Sequence, residues 1–228
     1  MTNSVAIIPA RGGSKRIPRK NIRDFAGKPA IAWPIQVAKD SGLFNQIIVS
    51  TDDREIADCA ISFGAEVPFF RDSSLSDDQT GTTDVVRDAV LRLRLDPDTS
   101  VCCIYATALF MNVQNLNAGH EKLQEGATWS MAICEYPTPI GRAYQRKGNI
   151  LVPRYREKMP MRSQDLETDY FDVGQFYWAK AKTWLDPECV VWDGAYGVEV
   201  SSLRAIDIDT EEDWKRAEFL MSYMQAQT

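Results

Sequence analysis

Val5-Ala6-Ile7-Ile8-Pro9-Ala10-Arg11-Gly12-Gly13-Ser14-Lys15-Arg16-Ile17-Pro18-Arg19-Lys20-Asn21 is the stretch on which the fold of this 228-residue chain turns. Val5 to Ile8 form a short unbroken apolar run, the pattern of a central parallel strand covered on both faces. Pro9 ends the run. Gly12-Gly13 then lets the backbone turn and come close to a ligand, while Arg11, Lys15, Arg16, Arg19 and Lys20 place five cations within ten residues. Like charges at that density repel unless an anion sits among them. A solvated basic loop is the plain alternative. Context weighs against it: residues 1–28 hold seven Lys or Arg against the single acid Asp24, a charge of +6, whereas residues 29–228 carry −12. A positive patch so local on an acidic chain predicts a small polyphosphate ligand, not nucleic acid.

At 44% hydrophobic, the chain can bury one sizeable core, and a single domain over residues 1–228 is expected. No apolar run approaches the roughly 18 residues of a membrane span, and the N-terminus lacks a basic-then-apolar signal region. A soluble cytoplasmic protein with no membrane partner is expected. Cys59, Cys102, Cys103, Cys134 and Cys189 are odd in number and show no Cys-x-x-Cys spacing, so neither a disulfide framework nor a zinc site is predicted. The single histidine, His120, is expected to be exposed and inert on a helix, which sets aside triads and histidine metal sites.

Outward from the opening stretch, Pro29 suits the first turn of a helix reaching about residue 40, with Pro34 tightening its start. Gln46 to Ser50 reads as the second strand. Asp52 with Glu55 three later predicts a capping box for a helix ending at Gly64. Glu66 to Phe70 is a predicted third strand, and a polar loop runs from Arg71 to Gly81. A helix over residues 82–95, a strand from Val101 to Tyr105, a helix near 113–125 and a strand from Trp129 to Cys134 follow. Strands alternating with helices at these lengths predict a doubly wound, mostly parallel α/β sheet. After Cys134 the rhythm changes: Pro137, Pro139, Pro153 and Pro160 punctuate an insertion at about residues 135–165, in which Ala143 to Gln145 and Ile150 to Val152 flank Lys147-Gly148-Asn149 as a β-hairpin arm. Gln175 to Trp178 returns to the sheet, and a strand from Ala205 to Asp209 precedes a last helix from Glu211 to about Met224.

That predicted last strand, Ile206-Asp207-Ile208-Asp209, carries the second informative pattern. On a strand Asp207 and Asp209 face the same way, about 6.6 Å apart at Cα, and two such carboxylates can share one hard cation. Mg²⁺, which favours one or two carboxylates, waters and substrate phosphates, suits them and a polyphosphate held by Arg11 and Lys15. The alternative is that Asp209 or Thr210 only caps the last helix, with Asp213 in its first turn. Thr107, at the carboxyl end of the fourth strand, is either a ligand contact or a turn of core.

The opening loop is not a Walker A loop and does not fit the Gly-x-Gly-x-x-Gly dinucleotide fingerprint. Pro9 to Asn21 instead resembles the signature of the cytidylyltransferases that activate nonulosonic acids. Tyr105-Ala106-Thr107-Ala108-Leu109-Phe110 resembles a second motif of that family, with Leu109 in place of its usual proline. Arg162-Ser163-Gln164-Asp165 and Tyr170 to Trp178 are most similar to its pseudaminic acid branch, with Phe171 where a histidine is expected. Together these cover nearly the whole chain.

The resemblance implies a Rossmann-like nucleotidyltransferase fold whose hairpin arm makes a homodimer. It implies transfer of CMP from CTP to the anomeric hydroxyl of a nonulosonic acid, pseudaminic acid first, with release of pyrophosphate. N-acetylneuraminic, legionaminic or 3-deoxy-manno-octulosonic acid are alternative acceptors, and a non-catalytic nucleotide-binding module is the alternative of another class. By the same resemblance Ala10, Arg11, Gly12, Gly13, Ser14, Lys15, Lys20, Asn21, Arg71 and Thr107 bind the nucleotide, with Arg71 and Asn21 at cytosine. Arg162, Gln164, Asp172 and Gln175 are the candidate sugar ligands. Asp207 and Asp209 hold Mg²⁺. Arg11, Lys15, Lys20 and Asp209 are the candidate catalytic groups.

Overall fold

Alternation along β1 (Ser4–Pro9) decides which layer each helix joins. Val5 and Ile7 face one side of the sheet, Ala6 and Ile8 the other, and all four are buried. The computed structural model describes residues 3–77 and 80–227. The six-stranded sheet has the order β10-β6-β9-β5-β1-β4, in which β4 is Gln46–Ser50, β5 Ser100–Ile104, β6 Trp129–Glu135, β9 Tyr170–Lys180 and β10 Tyr196–Glu199. β1 lies between β4 and β5, parallel to both, with Ile7 opposite Ile48 on one side and Cys103 on the other. Only β9 opposes the common direction, pairing antiparallel with β5 and β6.

On the Ala6/Ile8 side, α1 (Ala32–Ser41), α2 (Arg54–Ser62) and α4 (Val113–Gln124) bury Ile35, Ile56 and Leu116 in one core. On the Val5/Ile7 side, α3 (Thr82–Leu93) and α5 (Ala181–Leu185) bury Val86, Val90 and Trp184 in a second. A third core joins Ile17, Phe25, Leu109, Ile206 and Ile208 to Trp214 and Ala217 of α6 (Glu211–Gln225). Strands β2 (Asp24–Phe25) and β3 (Lys28–Pro29) make a small antiparallel ribbon against it. The hairpin arm is present as β7 (Tyr144–Lys147) and β8 (Ile150–Pro153), paired antiparallel and apart from the main sheet.

Several local expectations differ from the structure. Pro29 sits in β3 and α1 starts only at Ala32, with Pro34 in its first turn, where a missing N–H costs nothing. The cap of α2 is Asp53, whose carboxylate accepts from Ile56 N, and not Asp52. Residues 66–70 make only isolated parallel bridges, Glu66 with Ile48 and Phe70 with Thr51, instead of a strand. Residues 205–209 belong to no strand and pair with none. The edge strand next to β6 is β10, whose Tyr196–Glu199 segment has too little apolar alternation to stand out in sequence. Asp78 and Gln79 of the predicted polar loop lie outside the described residues.

His120 is the largest local departure: it is buried, tilted against Trp178 at 4.9 Å, and its Nε2 lies 3.4 Å from Ser4 Oγ and 3.2 Å from Gln124 Nε2. Burial, and then the charge of Lys180, push its pKa down, so the folded chain holds a neutral imidazole. The unfolded chain therefore takes up the proton first, and this contribution to stability is complete above about pH 6.5 and lost as pH falls through the lowered folded value. Urea unfolding from about pH 7.5 to 5.5 is expected to show stability falling by up to about 1.4 kcal/mol per pH unit from this group. A His120→Gln variant should lack that component; equal slopes in both proteins would assign it elsewhere.

Candidate active site

The chain leaves β1 for β4 on one side and later adds β5 on the other, so their carboxyl ends part at a topological switch point, where open α/β sheets bind ligands. A cavity of about 260 Å³ opens there, its wall including Pro9, Arg11, Ser14, Lys20, Asn21, Arg71, Tyr105 and Thr107.

The opening loop is held by its own side chains. Gly12 N donates to Asp52 Oδ1 at 2.9 Å, and a Cβ on Gly12 would come within 2.6 Å of Asp53 Oδ2. Gly12 is thus required by the approach of Asp53, a neighbour within the chain. Arg19, in the left-handed region at φ 56°, pairs with Asp53 and Glu55, and its hydrogen bond to Asp53 holds that carboxyl below the usual range. Arg19 therefore fastens the loop to α2. Asn21 Nδ2 donates to Arg11 O at 3.0 Å, bracing the loop's base. Ala10 is buried and continues the ladder through Ala10 N to Ser50 O, whereas Gly13 and Lys15 are exposed on the loop.

Lys20 turns inward. Its ammonium donates to Ile208 O at 2.6 Å and lies 3.6 Å from Asp209 Oδ1, which Arg16 approaches at 2.8 Å. Burial lowers the Lys20 pKa, with Asp209 and Asp207 acting in the opposite sense. Asp207 moves up, first through burial and then through repulsion from Asp209. The third core explains this meeting of distant segments. Ile206 and Ile208 are buried with Ile17, Leu109 and Trp214, so the alternating Asp207 and Asp209 point away from that core, toward the basic loop. The same-facing geometry expected of a strand is produced by packing and not by a ladder. Helix α6 is capped by Thr210 and Asp213 in a reciprocal capping box, which frees Asp209 from that task.

The fit to a cation is favourable: two carboxylates, one raised in pKa by burial and mutual repulsion, sit beside the basic loop. No cluster of three His, Cys, Asp or Glu side chains gathers as a metal site among the described residues, so a hard ion at Asp207 and Asp209 would draw its remaining oxygens from substrate and water.

Also in the wall of this cavity, the Arg71 side chain is 3% exposed. Its Nε donates to Ser76 Oγ at 3.2 Å, while Nη2 has no hydrogen-bond partner and stands 4.0 Å from Asp52 Oδ1. A buried guanidinium with an uncommitted donor in a cavity wall calls for an acceptor there.

The expected sugar ligands separate. Arg162 and Gln164 lie on an exposed turn after the arm, with Arg162 paired to Asp165 at 2.7 Å. Gln175 is buried and donates to Arg204 O at 2.6 Å. Asp172 borders a second cavity of about 420 Å³, lined also by Tyr177, Trp184 and Trp192, which shares Thr82 and Tyr105 with the first. Phe171 packs on Tyr136 at 5.0 Å, and Leu109 is buried in the third core, so both departures from the family motifs serve packing. Tyr105 and Thr82 were not singled out from sequence; Tyr105 stands at a strand's carboxyl end two residues before Thr107, a position that marks it in retrospect.

A family model described as Cytidylyltransferase matches residues 5–222. The chain is 41% identical over 221 residues to a pseudaminic acid cytidylyltransferase of Campylobacter jejuni subsp. jejuni, covering 95% of each. It is 31% identical to a CMP-N,N'-diacetyllegionaminic acid synthase of Legionella pneumophila subsp. pneumophila, covering 97% of each. Among solved structures, CMP:2-keto-3-deoxy-manno-octonic acid synthetase complexed with CTP superposes with a TM-score of 0.73 at 14% identity, covering 98% of this chain and 100% of the other, which supports the shared fold.

Proposed function

The chain belongs to the cytidylyltransferase family, and from that premise we propose that it transfers CMP from CTP to the anomeric hydroxyl of a nonulosonic acid, with pseudaminic acid as the acceptor, releasing pyrophosphate. The observation that carries this reading is one cavity whose wall holds two unlike groups: the uncommitted Arg71 donor, and the Lys20 ammonium, which is held against the Asp207–Asp209 segment. A pyrimidine base offers acceptors to the first, and a triphosphate offers charge to the second.

In this assignment Arg71 and Asn21 hold cytosine, and the loop from Ala10 to Lys20 holds the phosphates beside Thr107. Arg11, Lys15 and Lys20 neutralise charge on the α-phosphate and the leaving pyrophosphate, so catalysis is mainly positioning and electrostatics with no covalent enzyme intermediate. Asp207 and Asp209 would hold Mg²⁺, which when bound supplies further charge neutralisation at phosphate oxygens. The acceptor lies toward the second cavity, on the Asp172 side of Tyr105. Initial rates with CTP and a panel of nonulosonic acids test the reading: pyrophosphate release is expected to be fastest with pseudaminic acid. Equal turnover of N-acetylneuraminic acid would defeat the substrate assignment, and CTP binding without release for any acceptor would favour a binding module.

The partner is a second copy of the chain, docked through the arm. β7 and β8 form an isolated two-stranded unit on which Ile150 and Leu151 are 69% and 60% exposed, and such a hairpin is marginal alone. Removing residues 147–152 should give a monomer by sedimentation with CTP affinity kept and sugar turnover lost. A monomer with wild-type kcat/KM for the sugar would show that each subunit carries a complete site.

A further inference from the structure

With Asp53 capping α2, the carboxylate of Asp52 is left for another task. The residues just past β4 divide their work. Thr51 O accepts from Arg71 N at 2.8 Å, and Thr51 Oγ1 accepts from Asp53 N at 3.1 Å. Asp53 turns to Ile56 N and Arg19. Asp52 turns to neither: its Oδ1 accepts from Gly12 N at 2.9 Å and stands 4.0 Å from Arg71 Nη2. One oxygen thus meets both the loop that follows β1 and the arginine that follows the bridge of Phe70 with Thr51.

The two contacts differ in kind. The shorter is a hydrogen bond; the longer is beyond hydrogen-bonding reach and leaves only charge. That difference suits a buried guanidinium. Arg71 cannot shed its proton and needs an anion nearby, yet a bidentate carboxylate would take the donors that a ligand in the cavity has to find. By spending its hydrogen bond on Gly12, Asp52 supplies the counter-charge while Arg71 Nη2 keeps no hydrogen-bond partner. Neighbouring charges do not replace it: Arg11 repels Arg71, and both oxygens of Asp88 accept from Arg92 Nε. The Gly12 N–H, expected from sequence to face a phosphate, is committed within the chain.

We propose that Asp52 is a positioning residue for CTP, which ties the opening loop to Arg71 and holds the Arg71 donor charged, oriented and free for the nucleotide. Asp52 is not itself in the cavity wall, so its influence on a ligand passes through these two partners. Its charge acts on Arg71; its oxygen acts on the loop.

This inference rests on the proposed CTP site, and its test keeps the two separable. Asp52→Asn keeps an oxygen for Gly12 N and loses the charge; Asp52→Ala loses both. Calorimetric titration with CTP should give a Kd about tenfold higher for Asp52→Asn and higher still for Asp52→Ala, with kcat at saturating CTP kept within about threefold. In an Arg71→Ala background, Asp52→Asn should change Kd by no more than about twofold, because the charge has nothing left to act on. In 15N-labelled protein free of substrate, the Gly12 amide resonance should move in Asp52→Ala and stay near its wild-type position in Asp52→Asn. A wild-type Kd in Asp52→Asn, the full loss persisting without Arg71, or a Gly12 amide indifferent to Asp52→Ala would overturn the assignment. CTP bound with this coupling intact, but no pyrophosphate released with any nonulosonic acid, would instead overturn the proposed reaction and leave the role of Asp52 standing.

Discussion

Asp209→Asn is expected to lower kcat with CTP and a nonulosonic acid by about 100-fold or more while leaving the protein folded. The activity half of this expectation comes from charge. Asp207 and Asp209 face the basic loop together, and replacing one carboxylate by an amide removes half of the anionic donor set that a hard cation needs. The stability half comes from exposure. Asp209 is 40% exposed and its partner Arg16 is 67% exposed, so their 2.8 Å pair is worth about 0–1 kcal/mol. Helix capping does not depend on it, because Thr210 and Asp213 satisfy the first turn of α6. Asp213→Ala should show the reverse profile, with about 0.5–2 kcal/mol of stability lost and turnover largely kept. Rates measured across a Mg²⁺ titration, with thermal melts in parallel, check both variants; normal turnover by Asp209→Asn at every Mg²⁺ concentration would remove the carboxylate pair from the site.

Lys20→Ala and Arg71→Ala should fail in opposite ways. Lys20 is held by Ile208 O and Asp209 where the proposed assignment puts the phosphates, so its loss is expected to cut kcat by roughly 100-fold with CTP affinity changed only a few-fold. An interaction that strengthens as charge develops on phosphate shows in kcat, whereas uniform binding shows in KM. Arg71 is buried in the cavity wall with one donor lacking a partner, and with that donor assigned to a base carbonyl its removal is expected to raise KM for CTP by about ten- to a hundred-fold with kcat kept. Each tenfold corresponds to about 1.4 kcal/mol, the scale of one charge-assisted hydrogen bond. Calorimetric CTP titration together with steady-state rates separates the two. Exchanged signatures would reverse the orientation assigned to CTP.

Local pattern made much of this architecture legible. The apolar run of β1, the helices α3, α4 and α6 and the hairpin arm stand at or within a few residues of their predicted positions, since each depends on a short-range period or a turn signal. The basic loop was visible because charge density survives without knowledge of neighbours. Arg11, Ser14, Lys20, Asn21, Arg71 and Thr107 all reach the cavity wall. Within that loop, however, Arg19 looked like its fellow cations and is committed to Asp53 and Glu55.

What the sequence by itself determined is the set of segments that must be buried or solvated and the concentration of positive charge at the end of β1. Tertiary structure decided the rest. Whether residues 205–209 join a ladder depends on a free sheet edge, which Tyr196–Glu199 occupies instead; their alternation is kept by the pocket that Ile17, Leu109 and Trp214 offer to Ile206 and Ile208. Lys20 meets Ile208 across 188 residues of chain because that shared apolar core draws both segments in. Asp172 is brought onto the side of β9 that Tyr177 occupies by a shift of register against β6 between Met131 and Ile133, and its carboxylate accepts from Tyr177 Oη. Pairing partners and packing partners are properties of the folded neighbourhood, and no period along the chain encodes them.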